Sequence, residues 1–523
     1  MIDRMSQKKL ARNISVMSFA IMISRVLGLI RDQLMAFCFG ASYLNDAFVV
    51  GYRIPNLLRS LFGEGALSAS FIPIYNEIGI KEDQRSQFTF ALQVLSILSA
   101  FLLILTVLGI VFAPWIVKVI FAGLPPHTYK LAVILTRIMM PYLLWIGLSS
   151  TMIAILNSHD YFFMTGLSSA LLNIGMILSM ILPKMLGVEG VALVKWAAVG
   201  VFCGGMLQTV VNFPYLKKIG YTFRLTLNFH GKAIKALWTR FIPSLIGVGI
   251  REINLIADSL MASFLVVGSI SALEYANRLF HLPLGVFAIS TGMALLPTYS
   301  RLVTLGDYEE LKKTLRFASV SLAYAILPVT TLILALGGDM VRILFQRGAF
   351  DERASIMTEQ ALFYYSLGLI FFSLNQTLTP LFYANKDTKT PVKIAAWMVG
   401  LNIVLNFILM QFMQHRGLAF ATTITAMVNF FALLILIRKS MPKLSFEGIL
   451  PNILKSVLIC GILYLICIGI KLAFPDAGLI QIIIRDAIIV ILSLLTFYGL
   501  GMVVKLDYLH EATLSLWKKF RRK

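Results

Sequence analysis

The chain has 523 residues, of which 58% are hydrophobic and only 14% are charged. Soluble domains average roughly a quarter charged residues, so this composition excludes an ordinary soluble enzyme or binding domain. The net charge is +21, but the basic residues cluster in both tails and in three linkers, at 217–240, 301–316 and 438–455. This placement is typical of the positive-inside rule and argues against binding to nucleic acid.

Apolar windows of about 20 residues, enough to cross about 30 Å of hydrocarbon, recur along the whole chain. They predict an all-α polytopic membrane protein with about fourteen transmembrane helices. The first six are predicted at 12–38, 43–72, 88–121, 130–157, 163–183 and 189–213. Six more are predicted at 237–265, 270–300, 315–345, 356–384, 392–413 and 417–438, and two extra helices at 451–474 and 479–504. The even number of spans and the basic tails predict that both termini lie in the cytoplasm.

A basic amphipathic connector at residues 216–236 separates the two groups of six helices and is expected to lie on the cytoplasmic membrane surface. This division predicts an N-terminal lobe at 1–215, a C-terminal lobe at 237–440, and a segment at 441–523 with the two extra helices and a basic cytoplasmic tail. The four cysteines lie in apolar runs without the spacing of metal ligands, which favours buried thiols. They are Cys38, Cys203, Cys460 and Cys467.

Three short segments recur at nearly one spacing. The matching pairs are DQLMAFCFG with DSLMASFLV, FIPIYNE with LLPTYSR, and ILNSHD with FYANKD, between 224 and 227 residues apart. Because an even number of spans separates the copies, the two groups of six helices are predicted to be parallel repeats. Transporters built from such repeats place the substrate site between the halves.

Charged residues within the predicted spans concentrate in the first two helices of each repeat. The first repeat carries Arg25, Arg31, Asp32, Asp46, Arg53, Arg59 and Glu64, and the second carries Arg251, Glu252, Asp258, Glu274 and Arg278. Charges at depth in a membrane face protein or water, so these helices are predicted to line one central cationic cavity. Neighbouring charges can alternatively form local ion pairs, and some side chains can snorkel to the interface.

Arginine is in excess over acid in the first two helices, with four arginines against three carboxylates. Arginine binds phosphate bidentately and keeps its charge, so the cavity predicts an anionic substrate such as a phosphate or pyrophosphate. Gly28, Pro55 and Pro283 lie close to these arginines. Such residues permit the helix bending that alternating access requires, although they also occur as ordinary packing kinks.

Five segments resemble the MurJ (MviN) family of lipid II flippases: SRVLGLIRD at Ser24, NDAFVVGYRIPNLLRSLFGEGALSASFIPIYNE at Asn45, YANRLFHLPLGVFAISTGMALLPTYSRL at Tyr275, RGAFD at Arg347 and NKDTKTPVKI at Asn385. The resemblance extends over essentially the whole chain. It implies membership of the multidrug/oligosaccharidyl-lipid/polysaccharide exporter superfamily. The implied function is movement of lipid II, the undecaprenyl-pyrophosphate-linked peptidoglycan precursor, from the inner to the outer leaflet of the bacterial cytoplasmic membrane. Alternating access, driven by membrane potential or a cation gradient, is the implied mechanism.

The resemblance also implies roles for individual residues. A cationic clamp on the pyrophosphate and headgroup would comprise Arg25, Arg31, Arg59 and Arg278, with Asp46 and Glu64 as matching acids. Arg53 joins this set through the charge pattern alone. The two extra helices would form a groove for the polyprenyl tail. Asn277 and His281 stand where some family members carry acids, so no acidic role is expected at these two positions. His281 is either a titrating group or a histidine that is only packed or solvated.

Some members of the family hold sodium, which the resemblance places here on Asp258, Asn402, Asn406, the Leu418 carbonyl and Thr422. Hard oxygen ligands with one carboxylate suit a monovalent cation better than a transition metal. An asparagine pair one helical turn apart can also join helices without any ion. The expected partners are lipid II, membrane lipids and other cell-wall synthesis proteins.

Two other functions compete with this interpretation. An exporter of another polyprenyl-linked saccharide, or a drug/cation antiporter, would belong to the same superfamily, but a drug exporter should present acids where this chain has arginines. A membrane enzyme acting on polyprenyl phosphates needs clustered acids holding a metal, or a nucleophile with a base. The chain contains no DDxxD motif, no Ser/His/Asp grouping and no Walker motif, so the sequence predicts a transporter and not an enzyme.

Overall fold

The structure is a computed structural model that describes residues 4–62, 66–161, 163–222, 231–475 and 478–509. Every regular element in these ranges is a helix, which confirms the predicted all-α class. The chain divides into two compact units. Unit one comprises residues 1–271 and 348–350, and unit two comprises residues 272–347 and 351–523.

Unit one contains ten helices within the described ranges. They are α1 (Arg4–Phe39), α2 (Tyr43–Phe62), α3 (Ala66–Lys81), α4 (Gln84–Ile120), α5 (Pro126–Met139), α6 (Tyr142–Ser158), α7 (Phe163–Met185), α8 (Gly190–Val210), α9 (Phe213–Lys218) and α10 (Lys232–Ser263). Helix α10 packs against α2, α3 and α4, although the sequence division assigns it to the C-terminal lobe. That division, drawn from the repeats, stays a prediction.

Unit two holds the remaining described helices, and the first turn of α11 belongs to unit one. They are α11 (Ser269–Pro283), a π-helical turn (Leu284–Ile289), α12 (Ser290–Leu305), α13 (Tyr308–Phe345), α14 (Glu352–Leu367), α15 (Leu369–Ala384), α16 (Lys389–Met413), α17 (His415–Ser440), α18 (Ile449–Ala473) and α19 (Leu479–Val503). The π-helical turn follows Pro283 directly, and such turns are frequent at functional sites.

Ten segments of the described chain are long and apolar enough to cross a membrane. They are Gln84–Ile120, Pro126–Ser158, Gly166–Met185, Gly190–Lys218, Ser269–Leu305, Tyr308–Phe345, Lys389–Met413, His415–Ser440, Ile449–Ala473 and Leu479–Val503. The other four predicted spans, at 12–38, 43–72, 237–265 and 356–384, are helical over most of their described residues. The first three of these four carry most of the candidate cavity charges, and the total of about fourteen spans stays a prediction.

The two repeats share local structure at matching positions. Asp83 and Asp307, 224 residues apart, are the N-caps of α4 and α13. Their carboxylates accept hydrogen bonds from the backbone N–H groups three residues later, at 2.8 and 3.0 Å, as expected for N-caps. Tyr75 and Tyr299, also 224 residues apart, are both fully buried. The recurring sequence segments therefore mark recurring structure.

The fourth predicted span of each repeat is broken into two helices at one matching place. Helix α5 ends at Met139 before Pro141, and α14 ends at Leu367 before Gly368. Proline removes a backbone donor and crowds the preceding turn, which accounts for the first break. Gly368 sits so close to Thr423 that a Cβ atom would lie 2.7 Å from its hydroxyl oxygen, so close packing requires glycine at the second break.

The cysteine prediction is confirmed in part. All four are free thiols, and Cys460 and Cys467 are buried in α18, whereas Cys38 and Cys203 are only partly buried. Apolar runs on membrane helices include faces that are not covered by protein, so an apolar neighbourhood in sequence does not guarantee burial.

Candidate substrate and cation sites

Arg31 lies in the second half of α1 and contacts two partners. Its Nε and Nη2 atoms donate to Asp32 Oδ1 at 3.1 and 2.7 Å. Its Nη1 atom donates to Asn173 Oδ1 on α7 at 2.9 Å, and Asn173 Nδ2 donates to the Ser24 carbonyl at 3.1 Å. The Arg31 side chain is only 12% exposed. Arg31 therefore helps to hold α1 against α7, a role that its charge alone did not reveal.

Asn173 was missed by the sequence analysis. It is buried in α7, a mostly apolar helix in which Asn173 is the only amide side chain and, being buried, needs a hydrogen-bond partner. An amide within an apolar run can be recognised in the sequence. Its partner, Arg31, lies 142 residues away and is determined by the packing of α1 against α7.

We expect Asn173→Ala to destabilise the protein without removing any charge. The substitution deletes a hydrogen bond to the Arg31 guanidinium, and bonds to charged groups contribute about 1.5–3 kcal/mol. The thermal unfolding midpoint of the purified protein in detergent should therefore fall by a few degrees. Asn157→Ala removes an amide from the end of α6 and serves as the control for losing an amide that does not contact α1. An unchanged midpoint for Asn173→Ala would show that the contact with Arg31 does not hold α1.

Arg25 also lies on α1, but it is exposed, whereas Arg31 is partly buried. On α2, Arg53, Asn56 and Arg59 each stand three residues from the next and so lie along one side of the helix. The Arg59 Nε atom donates to Asn56 Oδ1 at 3.0 Å, which positions the guanidinium in the last turn of α2. A cation is favourable at this end of a helix. Glu64 lies outside the described residues.

Asp46 is buried in the first turn of α2, with 4% of its surface exposed. Its Oδ2 atom accepts from the Gly268 N–H at 2.6 Å, and its Oδ1 atom accepts from the Ser271 N–H at 2.9 Å and the Ser271 hydroxyl at 2.6 Å. These donors belong to the turn before α11 and to its first residues. Asp46 thus caps the N-terminus of α11, where a negative charge is favourable, and its predicted contact with substrate stays a prediction.

Arg278 lies in unit two on α11, just before Pro283 and the π-helical turn. Its Nη2 atom is 3.2 Å from Glu274 Oε1, with the two side chains 47% and 30% exposed. The local ion pair weighed in the sequence analysis therefore forms, and about half of the Arg278 side chain stays exposed. His281 is also exposed and packs its ring edge-on against Phe280, while Asn277 is partly buried.

The candidate sodium ligands of unit two lie on α16 and α17, which pack together. Asn406 Nδ2 donates to Asn402 Oδ1 at 3.0 Å, Asn402 Nδ2 is 3.4 Å from Thr425 Oγ1, and Thr422 Oγ1 donates to the Leu418 carbonyl at 3.0 Å. Both asparagines and Leu418 are buried. The candidate ligands on α16 and α17 are therefore neutral oxygen atoms, which suit a hard monovalent cation. The contact between Asn402 and Thr425 is visible only in the structure.

The resemblance assigned the one carboxylate of the sodium site to Asp258, and that assignment stays a prediction. Asp258 lies on α10 in unit one, and its Oδ2 atom accepts from Asn254 Nδ2, one helical turn earlier, at 3.3 Å. In the part of the chain that the structure describes, no group of three or more His, Cys, Asp and Glu residues could hold a metal ion.

The chain is similar to known transporters in sequence. A family profile described as lipid II flippase MurJ matches residues 35–485. The chain is 33% identical over 418 residues to the probable lipid II flippase MurJ of Buchnera aphidicola (subsp. Acyrthosiphon pisum), with 80% of this chain and 81% of that protein covered. It is 33% identical over 426 residues to the lipid II flippase MurJ of Burkholderia cenocepacia, with 80% and 82% covered.

Solved structures agree with this similarity. A lipid II flippase MurJ in an inward closed conformation matches with a TM-score of 0.79 and 28% identity, and the match covers 93% of this chain and 98% of that one. An inward-facing multidrug transporter of the MATE family matches with a TM-score of 0.67 at 14% identity, over 83% of this chain and 99% of that one. The second match supports a shared fold alone.

Proposed function

Because the chain belongs to the lipid II flippase MurJ family, we propose that it moves lipid II from the inner to the outer leaflet of the bacterial cytoplasmic membrane. The observation that carries the proposal is the family match over residues 35–485. The family is one of transporters, so no bond of the substrate is made or broken. The chain is a multi-pass membrane protein, and we infer from its basic tails that both termini lie in the cytoplasm.

The arginines supply the chemistry that an anionic headgroup requires. A pyrophosphate offers oxygens that guanidinium groups bind through charge-assisted hydrogen bonds. Arg25 and Arg278 are exposed, so each can exchange a water molecule for a phosphate oxygen without disrupting buried contacts. Arg59 is held by Asn56, which reduces the entropy lost when it binds a ligand. We infer that these three residues contact the substrate and that Arg31 mainly fixes the helix that carries Arg25.

Alternating access would carry the bound headgroup across the membrane. The π-helical turn Leu284–Ile289, six residues after Arg278, interrupts the regular hydrogen bonding of its helix. Such an interruption is a place where a helix bends. Membrane potential or a cation gradient would drive the cycle, and the tail of the substrate would lie along α18 and α19.

The test is replacement of the resident flippase. A bacterium depleted of its own lipid II flippase is given this chain, and the lipid II accessible at the outer leaflet is measured. We expect wild type to restore accessibility, and we expect Arg278→Ala to fail at an equal membrane level. If wild type reaches the membrane without restoring lipid II accessibility, the substrate is a different polyprenyl-linked saccharide.

We further propose that sodium binds the neutral oxygens of α16 and α17 together with Asp258. Sodium at a resident site would compensate the carboxylate charge and fix the ligand side chains. Because a ligand that binds only the folded state stabilises it, NaCl should raise the unfolding midpoint of wild type above its value in equal KCl. Asp258→Ala and Asn402→Ala should each abolish this sodium-specific increase, whereas Glu352→Ala, at an exposed residue, should retain it. An unchanged increase in both site variants would place sodium elsewhere.

A further inference from the structure

The two C-terminal helices, α18 and α19, are joined to α13 at one end by a group of charges in which Asp339 and Arg485 are buried and Lys471 is partly exposed. The Asp339 Oδ2 atom on α13 lies 2.7 Å from Lys471 Nζ on α18 and 2.8 Å from Arg485 Nη2 on α19. Asp339 is 3% exposed and Arg485 is 8% exposed. One carboxylate thus binds a cation from each of the two helices. We call Asp339, Lys471 and Arg485 the Asp339 clasp.

Further contacts fix the geometry of the Asp339 clasp. Lys471 Nζ also donates to the Ala335 carbonyl on α13 at 3.2 Å. Arg485 Nε donates to Asp486 Oδ1 at 3.1 Å, and Arg485 Nη1 donates at 3.2 Å to the carbonyl of Phe474 at the end of α18. The two cations are therefore matched by two carboxylates and by backbone carbonyls, as a buried ion group requires.

A second polar group joins the same three helices at their other end. Asn452 on α18 donates through Nδ2 to Asp507 Oδ2 at 2.7 Å, and the Asp507 N–H donates to Asn452 Oδ1 at 3.2 Å. Asp507 follows α19 and forms an ion pair with Arg316 on α13. Tyr324 on α13 donates to Asn452 Oδ1 at 3.0 Å. We call Asp507, Asn452 and Arg316 the Asp507 clasp.

The two clasps are far enough apart along α13 to lie at opposite faces of a membrane. Arg316 and Asp339 are 23 residues apart on the continuous helix α13, which at 1.5 Å per residue is about 35 Å. The hydrocarbon core is about 30 Å thick. Between the clasps, Leu327 packs with Ile459 and Leu463, and Leu336 packs with Cys467. Helix α18 is thus attached to α13 at both clasps and along the length between them.

Separating α18 from α13 would be costly at the Asp339 clasp. It would take Lys471 from Asp339, and separating α19 as well would take away Arg485. Removing one partner of a buried ion pair is strongly destabilising because the dielectric constant there is low. A helix pair that hinged or slid during transport would have to break these contacts in each cycle.

We propose that α13, α18 and α19 form one rigid three-helix body throughout the transport cycle, with Asp339 as the residue that positions its two C-terminal helices. The proposal rests on the proposed transport function and extends it. The polyprenyl tail of the substrate would meet a fixed surface, and the movement that changes access would take place in other helices.

A native cysteine allows a direct test. The Thr331 side chain on α13 lies close to the Cys460 thiol on α18, so we expect Thr331→Cys to bring two thiols together across the α13–α18 contact. The parent protein carries Cys38→Ala, Cys203→Ala and Cys467→Ala, which leaves Cys460 as its only cysteine. Disulfide formation under a mild oxidant is followed by mass spectrometry of the digested protein, and lipid II flipping is measured in proteoliposomes.

We expect the disulfide to form rapidly and the oxidised Thr331→Cys protein to flip lipid II at a rate within about twofold of its reduced form, since twofold corresponds to only about 0.4 kcal/mol. Loss of flipping on oxidation, with recovery on reduction, would overturn the rigid body while leaving the transport function intact. Absence of the disulfide would contradict the contact itself. A parent protein that inserts but does not flip would overturn the transport function and the proposal with it.

The positioning role of Asp339 has a separate readout that does not depend on transport. Asp339→Asn, combined with Thr331→Cys, should slow disulfide formation at least severalfold because α18 is less well held. Glu309→Gln removes an exposed carboxylate from the same helix and should leave the rate unchanged. Equal rates in the Asp339→Asn and Glu309→Gln proteins would show that Asp339 does not position α18.

Discussion

Replacing Arg278 with alanine is expected to abolish lipid II transport while the protein stays folded and in the membrane. The side chain is 47% exposed and its ion pair with Glu274 is local to α11, so loss of that pair costs little stability. A hydrogen bond to a charged group contributes about 1.5–3 kcal/mol, which corresponds to about a tenfold to hundredfold loss per bond to the substrate. A bidentate contact with pyrophosphate would lose two such bonds.

The measurement is the outer-leaflet accessibility of lipid II in depleted cells, with membrane levels and unfolding midpoints recorded for each variant. Arg25→Ala should also abolish transport without unfolding the protein, because Arg25 is exposed as well. Arg301→Ala removes an exposed arginine from α12 and should retain transport. Full activity of both Arg278→Ala and Arg25→Ala would eliminate the arginine clamp and leave the family assignment untouched.

Replacing Asp46 with alanine is expected to destabilise the protein even when no substrate is present. The substitution leaves the Gly268 and Ser271 N–H groups and the Ser271 hydroxyl without their acceptor. Each buried donor left unsatisfied costs about 1–3 kcal/mol, so we expect a total loss of a few kcal/mol and a fall of several degrees in the unfolding midpoint.

Differential scanning fluorimetry of the purified protein measures this change directly. Glu82→Ala removes an exposed carboxylate from the loop between α3 and α4 and should leave the midpoint unchanged. Asp46→Asn should lie between wild type and Asp46→Ala, since its amide oxygen still accepts one of the three bonds. If Asp46→Ala abolished transport without lowering the midpoint, the main role of Asp46 would be contact with the substrate.

Local sequence patterns were enough to predict much of the fold. The all-α membrane class follows from long apolar runs, and the N-caps Asp83 and Asp307 recur at the spacing of the repeated segments. These features depend on residues close together in the chain, because a helix satisfies its own backbone hydrogen bonds and a span needs only sufficient apolar length. The sequence also located the arginines, since a charge within an apolar run is visible without a structure.

The partners of those charges were decided by tertiary packing. Arg31 contacts Asn173 across 142 residues, Asp46 contacts Ser271 across 225, and Asp339 contacts Arg485 across 146. Nothing in the local pattern specifies these pairs, because a buried charge can be satisfied by any suitably placed group of opposite charge or any dipole. The sequence by itself therefore determined the class of this protein, its repeats and the positions of its charges. Only the packing of its helices separated the exposed arginines from the charges that hold the helices together.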